Sequence, residues 1–141
     1  ACHTSAINDG VFNGTFCPIA DYRLLFTAEH AAAARKQKVY IGNTVCNDRL
    51  YRLAESYRSA AWRDYGILCS EMEGAALYTA AAQFGKRALM LVSILSHLDV
   101  DAEGKERIRP LPETPGKTMD DALILALETL AEDSRRMHGG L

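Results

Sequence analysis

Along this chain, short continuous apolar runs alternate with longer stretches whose apolar residues recur at helical spacing. Ala1 to Asn8 reads as a short strand leaving a core, followed to Pro18 by a loop rich in Gly, Asn and Phe. Asp21 is a predicted N-cap, and Leu24, Leu25, Ala28, Ala31 and Ala32 then mark a helix to about Gln37. Val39 to Cys46, VYIGNTVC, is β-branched and apolar with a Gly-Asn interruption, and predicts the next strand. Asp48 to Asp64 reads as a loop running into a helix, with Tyr57 and Trp62 packed inward. Ile67 and Leu68 then lead from Gly66 into an alanine-rich amphipathic stretch, Gly74 to Phe84, which Gly85 ends as a C′ glycine. Ala88 to Leu95, ALMLVSIL, is a continuous apolar run of the kind found in a central parallel strand. Asp101 to Gly116 is charged and proline-rich and predicts a mobile loop. Thr118 to Arg136 closes the chain as a helix, with Asp120 and Asp121 near its start and Arg135 and Arg136 near its end, as the helix dipole favours. Strands alternating with helices predict an α/β fold, a sheet covered on both faces in three layers, α/β/α.

Composition narrows this picture. The 141 residues are 48% hydrophobic, which suits a single domain over 1–141. A domain of this size buries ~70% of its unfolded surface and needs no staples. A net charge of -2 gives no electrostatic reason for nucleic acid or an anionic membrane as partner. Cys2, Cys17, Cys46 and Cys69 form no CxxC pair and read as reduced, mostly buried thiols of a cytoplasmic protein, with no metal site expected. No apolar run approaches the ~18 residues of a membrane span, and no signal peptide is visible. The start at Ala1, directly in strand-like sequence, carries the expectation that a preceding part was cut away or never built.

The candidate chemistry gathers where the pattern changes from strand-like to helix-like, at Cys69-Ser70-Glu71-Met72-Glu73-Gly74. Ser70 as N-cap with Glu73 at N3 forms a capping box and needs no ligand. The box leaves Glu71 and Met72 unexplained, and the C-terminal end of a buried strand is where open α/β sheets place their ligands.

GILCSEMEGAALYTAAAQFGKRAL resembles the segment that begins the ribose-binding helix in purine nucleoside phosphorylases of the hexameric bacterial type. The wider nucleoside phosphorylase superfamily shares the Glu-Met-Glu core. ACHTSAIN and PIADYRLL resemble the family's segments just after its central glycine-rich loop, so the likeness covers nearly all of this chain but only the C-terminal half of the family. It implies a nucleoside phosphorylase-like sheet and phosphorolysis of a purine nucleoside to free base and ribose 1-phosphate. It further implies no cofactor, inorganic phosphate as co-substrate, and a homo-oligomer or partner chain that supplies the missing half. Met72 packs against the nucleoside and Glu73 bonds the ribose hydroxyls in this reading, and Ser70 and Glu71 are expected among the substrate-binding residues with them. Counting from the Gly-Asn pair assigns the base-stacking place to Leu50 and Tyr51.

The likeness fails at the proton donor. Aligning on SILSHL puts Ser96 where the family's purine-protonating Asp stands, with His97 retained, and the helper arginine falls at Pro115. Arg23, Arg35 and Arg49 do not match the family's phosphate-binding arginines and read as surface charge. Two alternatives stay open: a non-catalytic nucleoside-binding or assembly subunit of the same fold, and uridine phosphorylase. The latter's pyrimidine-reading insertion has no room between Asn43 and Tyr65.

Overall fold

A computed structural model of the chain describes residues 2–3, 16–48, 59–101, 106–112 and 115–138. Three strands, β1 (Cys2–His3), β2 (Asn43–Cys46) and β3 (Ile67–Glu71), form a parallel sheet in the order β1-β2-β3. Cys2 and His3 pair with Val45 and Cys46, and Val45 and Cys46 pair in turn with Ser70 and Glu71. Parallel strands need crossover connections, and α1 (Tyr22–Ala34) and α2 (Ser59–Asp64) lie in the two that this sheet has. Beyond β3 come α3 (Gly74–Gln83), an antiparallel hairpin of β4 (Ser96–Val100) and β5 (Glu106–Pro110), and α4 (Pro115–His138). The result is the expected α/β class, with helices packed beside a parallel sheet.

Local chemistry sets the helix ends. The Asp21 carboxylate accepts from the Leu24 N–H at 2.9 Å, so the predicted N-cap is in place. Gly85 sits at φ 60°, with its N–H on the Ala82 carbonyl and the Lys86 N–H on the Ala81 carbonyl, and so ends α3 in a Schellman motif. The first helix stops earlier than its spacing predicts. Lys36, at φ 55°, turns the chain, and the Gln37 N–H reaches back to the Ala32 carbonyl. Leu24, Thr27, Ala28 and Ala32 of α1 face Leu125, Thr129 and Asp133 of α4. Arg23 meets Met137 and Arg35 meets Glu128, so the two helices run antiparallel.

Three expectations are corrected. Only Asn43–Cys46 of the run from Val39 is strand; just before it, at Gly42, the Leu68 side chain lies 2.7 Å from where a Cβ would stand, and the register shifts between Asn43 and Thr44. Ala88 to Leu95 is not a strand of the sheet. Its backbone bonds go instead to the Asp21 N–H, the Tyr78 hydroxyl and the Leu111 N–H. A continuous apolar run specifies burial but not the neighbour that must supply the ladder. Asp101 to Gly116 is not all loop: Glu106–Pro110 pairs with β4, Pro110 opposite Ser96, and α4 begins at Pro115. Proline is tolerated at a strand end and in a first helical turn because neither place requires its missing N–H.

Candidate functional site

The strand β3 continues through Ser70 and Glu71, paired with Val45 and Cys46, and this decides where every side chain of the junction goes. Ser70 has extended, laddered backbone and is not the N-cap; its Oγ accepts from Asn47 Nδ2 at 2.7 Å. The backbone N-cap is Glu73, whose carbonyl takes the first helical bond from the Leu77 N–H, and its side chain caps nothing. The expected capping box is therefore absent, and Glu71 takes over its work. Oε2 of Glu71 accepts from the Glu73 N–H at 2.8 Å and the Gly74 N–H at 2.5 Å. Oε1 accepts from Thr44 Oγ1 on β2 at 3.2 Å. The Asn47 N–H continues the ladder onto the Glu71 carbonyl at 2.9 Å.

The three residues of the Glu-Met-Glu core thus divide. Glu71 is buried at 9% exposure and turns inward, whereas Met72 and Glu73 face solvent. Glu73 Oε2 accepts from the Met72 N–H at 3.1 Å, and its second oxygen has no hydrogen bond among the described residues. Gly74 makes the inward packing possible. A Cβ there would lie 2.9 Å from Glu71 Oε1 and 3.0 Å from the Met90 Sδ-bound methyl, Cε.

No ion pair reaches Glu71 among the described residues, so its charge is met by hydroxyl and N–H donors at the start of α3. The neighbours stay neutral. Burial pushes the Cys46 thiol up, and the Glu71 carboxylate adds to that shift. Cys69 is raised by burial and then by Glu71. Tyr78 is raised by burial, against the Met90 N–H that its oxygen accepts at 3.0 Å. None of the three is a nucleophile at neutral pH.

Ser96 opens β4 and is exposed, and no side-chain hydrogen bond ties it to the β3–α3 turn among the described residues. The hairpin is held from beside β3 by α2, whose Arg63 donates to the Leu98 carbonyl at 2.9 Å. Asp99 and Asp101 pair with Arg109 at 3.0 Å and Arg107 at 3.2 Å, so each carboxylate already has an exposed arginine partner within the hairpin. Leu50 and Tyr51 lie outside the described residues. Arg35 bonds Glu128 and Arg23 lies against Met137, which agrees with surface roles. Among the described residues no group of His, Cys, Asp or Glu is arranged to hold a metal ion, and no helix is long and apolar enough to cross a membrane.

Reasoning from sequence missed Thr44, Asn47 and the inward turn of Glu71. The glycine directly after Glu-Met-Glu was the available signal, since a helix that begins on Gly admits a close neighbour there.

The carboxylate-anchored turn, with Met and Glu presented outward at the helix start, lies at the C-terminal end of a parallel strand, where open α/β sheets place their ligands. The chain belongs to the Phosphorylase superfamily, whose sequence pattern matches residues 2–132. It is 35% identical over 125 residues to the DeoD-type purine nucleoside phosphorylase of Listeria welshimeri, covering 88% of this chain and 50% of the relative. The DeoD-type enzyme of Levilactobacillus brevis is 33% identical over 130 residues, 91% of this chain and 52% of the relative. That of Oceanobacillus iheyensis is 32% identical over 127 residues, 89% and 52%. The chain spans about half the length of these curated relatives.

Proposed function

We propose that this chain carries the ribose-binding part of a purine nucleoside phosphorylase site. Glu73 accepts hydrogen bonds from the ribose hydroxyls, and Met72 packs against the nucleoside. The observation that carries this reading is the division at the junction: Glu71 is spent inward while Met72 and Glu73 stay accessible. The likeness to DeoD-type enzymes supplies the substrate class.

In the reaction, a phosphate oxygen attacks the anomeric carbon of the ribose as the bond to the purine nitrogen breaks. The bonding pair leaves with the base, which a proton must neutralise. Glu73 acts by orienting the sugar and by favouring the positive charge that develops on it. Ser96 stands at the acid position. Its neutral hydroxyl bonds a purine nitrogen but is too weak an acid to protonate it. Inorganic phosphate is the co-substrate, the compartment is cytoplasmic, and the remainder of the site comes from a further part of the protein or an associated copy or partner. That last point is supported by the apolar residues left exposed on the run before β4 and along α4: Val92, Ile94 and Leu95, and Met119, Leu123 and Leu127.

Replacing Glu73 by Gln tests the reading. It should weaken purine nucleoside binding by ~1–3 kcal/mol, the scale of a hydrogen bond to a charged group. Unchanged affinity by calorimetry with an intact fold removes Glu73 from the site. A non-catalytic nucleoside-binding subunit is the second reading, favoured by Ser96 and by the arginine-paired Asp99 and Asp101. Nucleoside binding without any phosphorolysis by the complete assembly would establish it.

A further inference from the structure

The Glu71 carboxylate is buried, bonded at both oxygens and unpaired with any cation among the described residues. Such a group is costly to bury unless the chain gains something from it. Its partners among the described residues include Thr44 on the neighbouring strand, the Cys46 thiol at the end of that strand, and the backbone N–H groups of the two residues that follow Met72. The carboxylate therefore ties the end of β3 to β2 on one side and to the first turn of α3 on the other. Gly74 gives up a side chain to admit it, and the Met90 methyl closes the space from the remaining side. Between these fixed points, Met72 and Glu73 have little freedom left. The Glu73 N–H is held from inside while its carboxylate faces out.

We propose that Glu71 is a positioning residue that does not touch the nucleoside: bonded to Thr44 and to the Glu73 and Gly74 N–H groups, it fixes the turn that aims the Glu73 carboxylate at the ribose. The proposal rests on Glu73 being the ribose ligand. It separates two carboxylates that are equivalent in the sequence, giving one to the ligand and the other to the scaffold.

A double-mutant cycle, read as inosine affinity by calorimetry and as thermal unfolding on the assembly as it purifies, tests it. Glu71→Ala should weaken inosine binding about tenfold when Glu73 is present, as coupled neighbours do. In the Glu73→Gln background the same change should cost less than about twofold. Glu71→Gln should recover most of the loss, because it keeps the length, leaves one oxygen for the two N–H groups, and offers its NH₂ to the Thr44 oxygen. Thr44→Val should fall between wild type and Glu71→Ala, and it serves as the readout should the alanine variant not fold. Equal losses in both backgrounds would mean that Glu71 contacts the ligand itself and would overturn the proposal. A lower unfolding temperature with unchanged affinity would also overturn it, leaving a purely structural role. A Glu73→Gln single variant with wild-type affinity would instead overturn the ribose reading beneath it.

Discussion

At the β3–α3 turn the Glu71 carboxylate, the Ser70 hydroxyl, the Asn47 amide and the first N–H groups of α3 all find partners on adjacent elements. Twenty residues on, the segment that leads into Ser96 is built in the opposite way. Arg87 pins its start, bidentate on Asp133 and 3.8 Å from Asp21, and the Asp21 N–H bonds the Ala88 carbonyl. From there to β4 the chain exposes Val92, Ile94 and Leu95, while the Ser93 hydroxyl is buried with no hydrogen-bond partner among the described residues. A turn whose polar groups are satisfied locally is preorganised by its own sequence. An apolar segment held by backbone bonds at Ala88, Met90 and Leu95, with its apolar side chains left exposed, is completed by whatever covers those side chains. The β3–α3 turn is thus self-supporting, and the segment that leads into Ser96 depends on its surroundings; in the proposed reading these are the ribose end and the acid end of the site.

The sharpest way to break this comparison acts on chemistry at the dependent end. In a complete assembly, Ser96→Asp should raise phosphorolysis of an ordinary purine nucleoside by about 10²–10⁴-fold, the usual worth of a positioned general acid. A 7-methylated nucleoside already carries the positive charge and should gain little. Equal gains for both substrates would mean that Ser96 is not at the acid position. No gain for either, with nucleoside still bound, would place the governing defect at phosphate.

Association comes next in size. If the exposed run is covered in the working protein, Leu95→Glu should weaken that association by roughly 1.5–3 kcal/mol, the transfer free energy of one buried leucine. Sedimentation at micromolar concentration reads it. A monodisperse wild-type monomer would show that no second chain covers the run. Nucleoside contacts at Glu73 should be altered less than association, because the β3–α3 turn does not rely on Leu95.

The same contrast explains what the sequence made legible. α1, α3 and α4 were readable because helical spacing and caps are local, and Asp21 and Gly85 fell where capping chemistry requires. The Ser70 box was misread because Ser-x-x-Glu spacing does not reveal that β3 runs on through Glu71, nor that Thr44 waits 27 residues earlier. Ala88 to Leu95 was misread for a related reason: its apolarity is plain, but its neighbours are not written within it. Of the candidate site, Glu71, Met72 and Glu73 were found as a group, and only the structure divided them.

The smallest effect tests the anchored end. Burial opposes ionisation of Asp133, but the hydrogen bond from Arg87 outweighs it and holds the carboxyl below its ordinary range, with the charges of Arg87, Arg23 and Arg136 adding to the shift. A carboxylate lowered in the folded state adds stability above its unfolded value of about 3.9, and that stability is lost as the pH falls through the lower, folded value. The same pair raises the Arg87 guanidinium above its ordinary value, and this partner therefore contributes no slope in acid. Arg87 is 35% exposed, so solvent screens the pair and its worth is at most about 1 kcal/mol. Urea unfolding of wild type and Asp133→Asn should therefore differ most near neutrality and converge as the pH falls below the ordinary carboxylate range. Glu132, lowered by Arg136 and Arg135, titrates in the same window, and Glu132→Gln separates its share. An Asp133→Asn protein that keeps the full acid slope would show that the run is tethered by the Asp21–Ala88 backbone bond instead. Loss of nucleoside affinity in that variant would show that the two ends of the site are mechanically joined, against the separation drawn above.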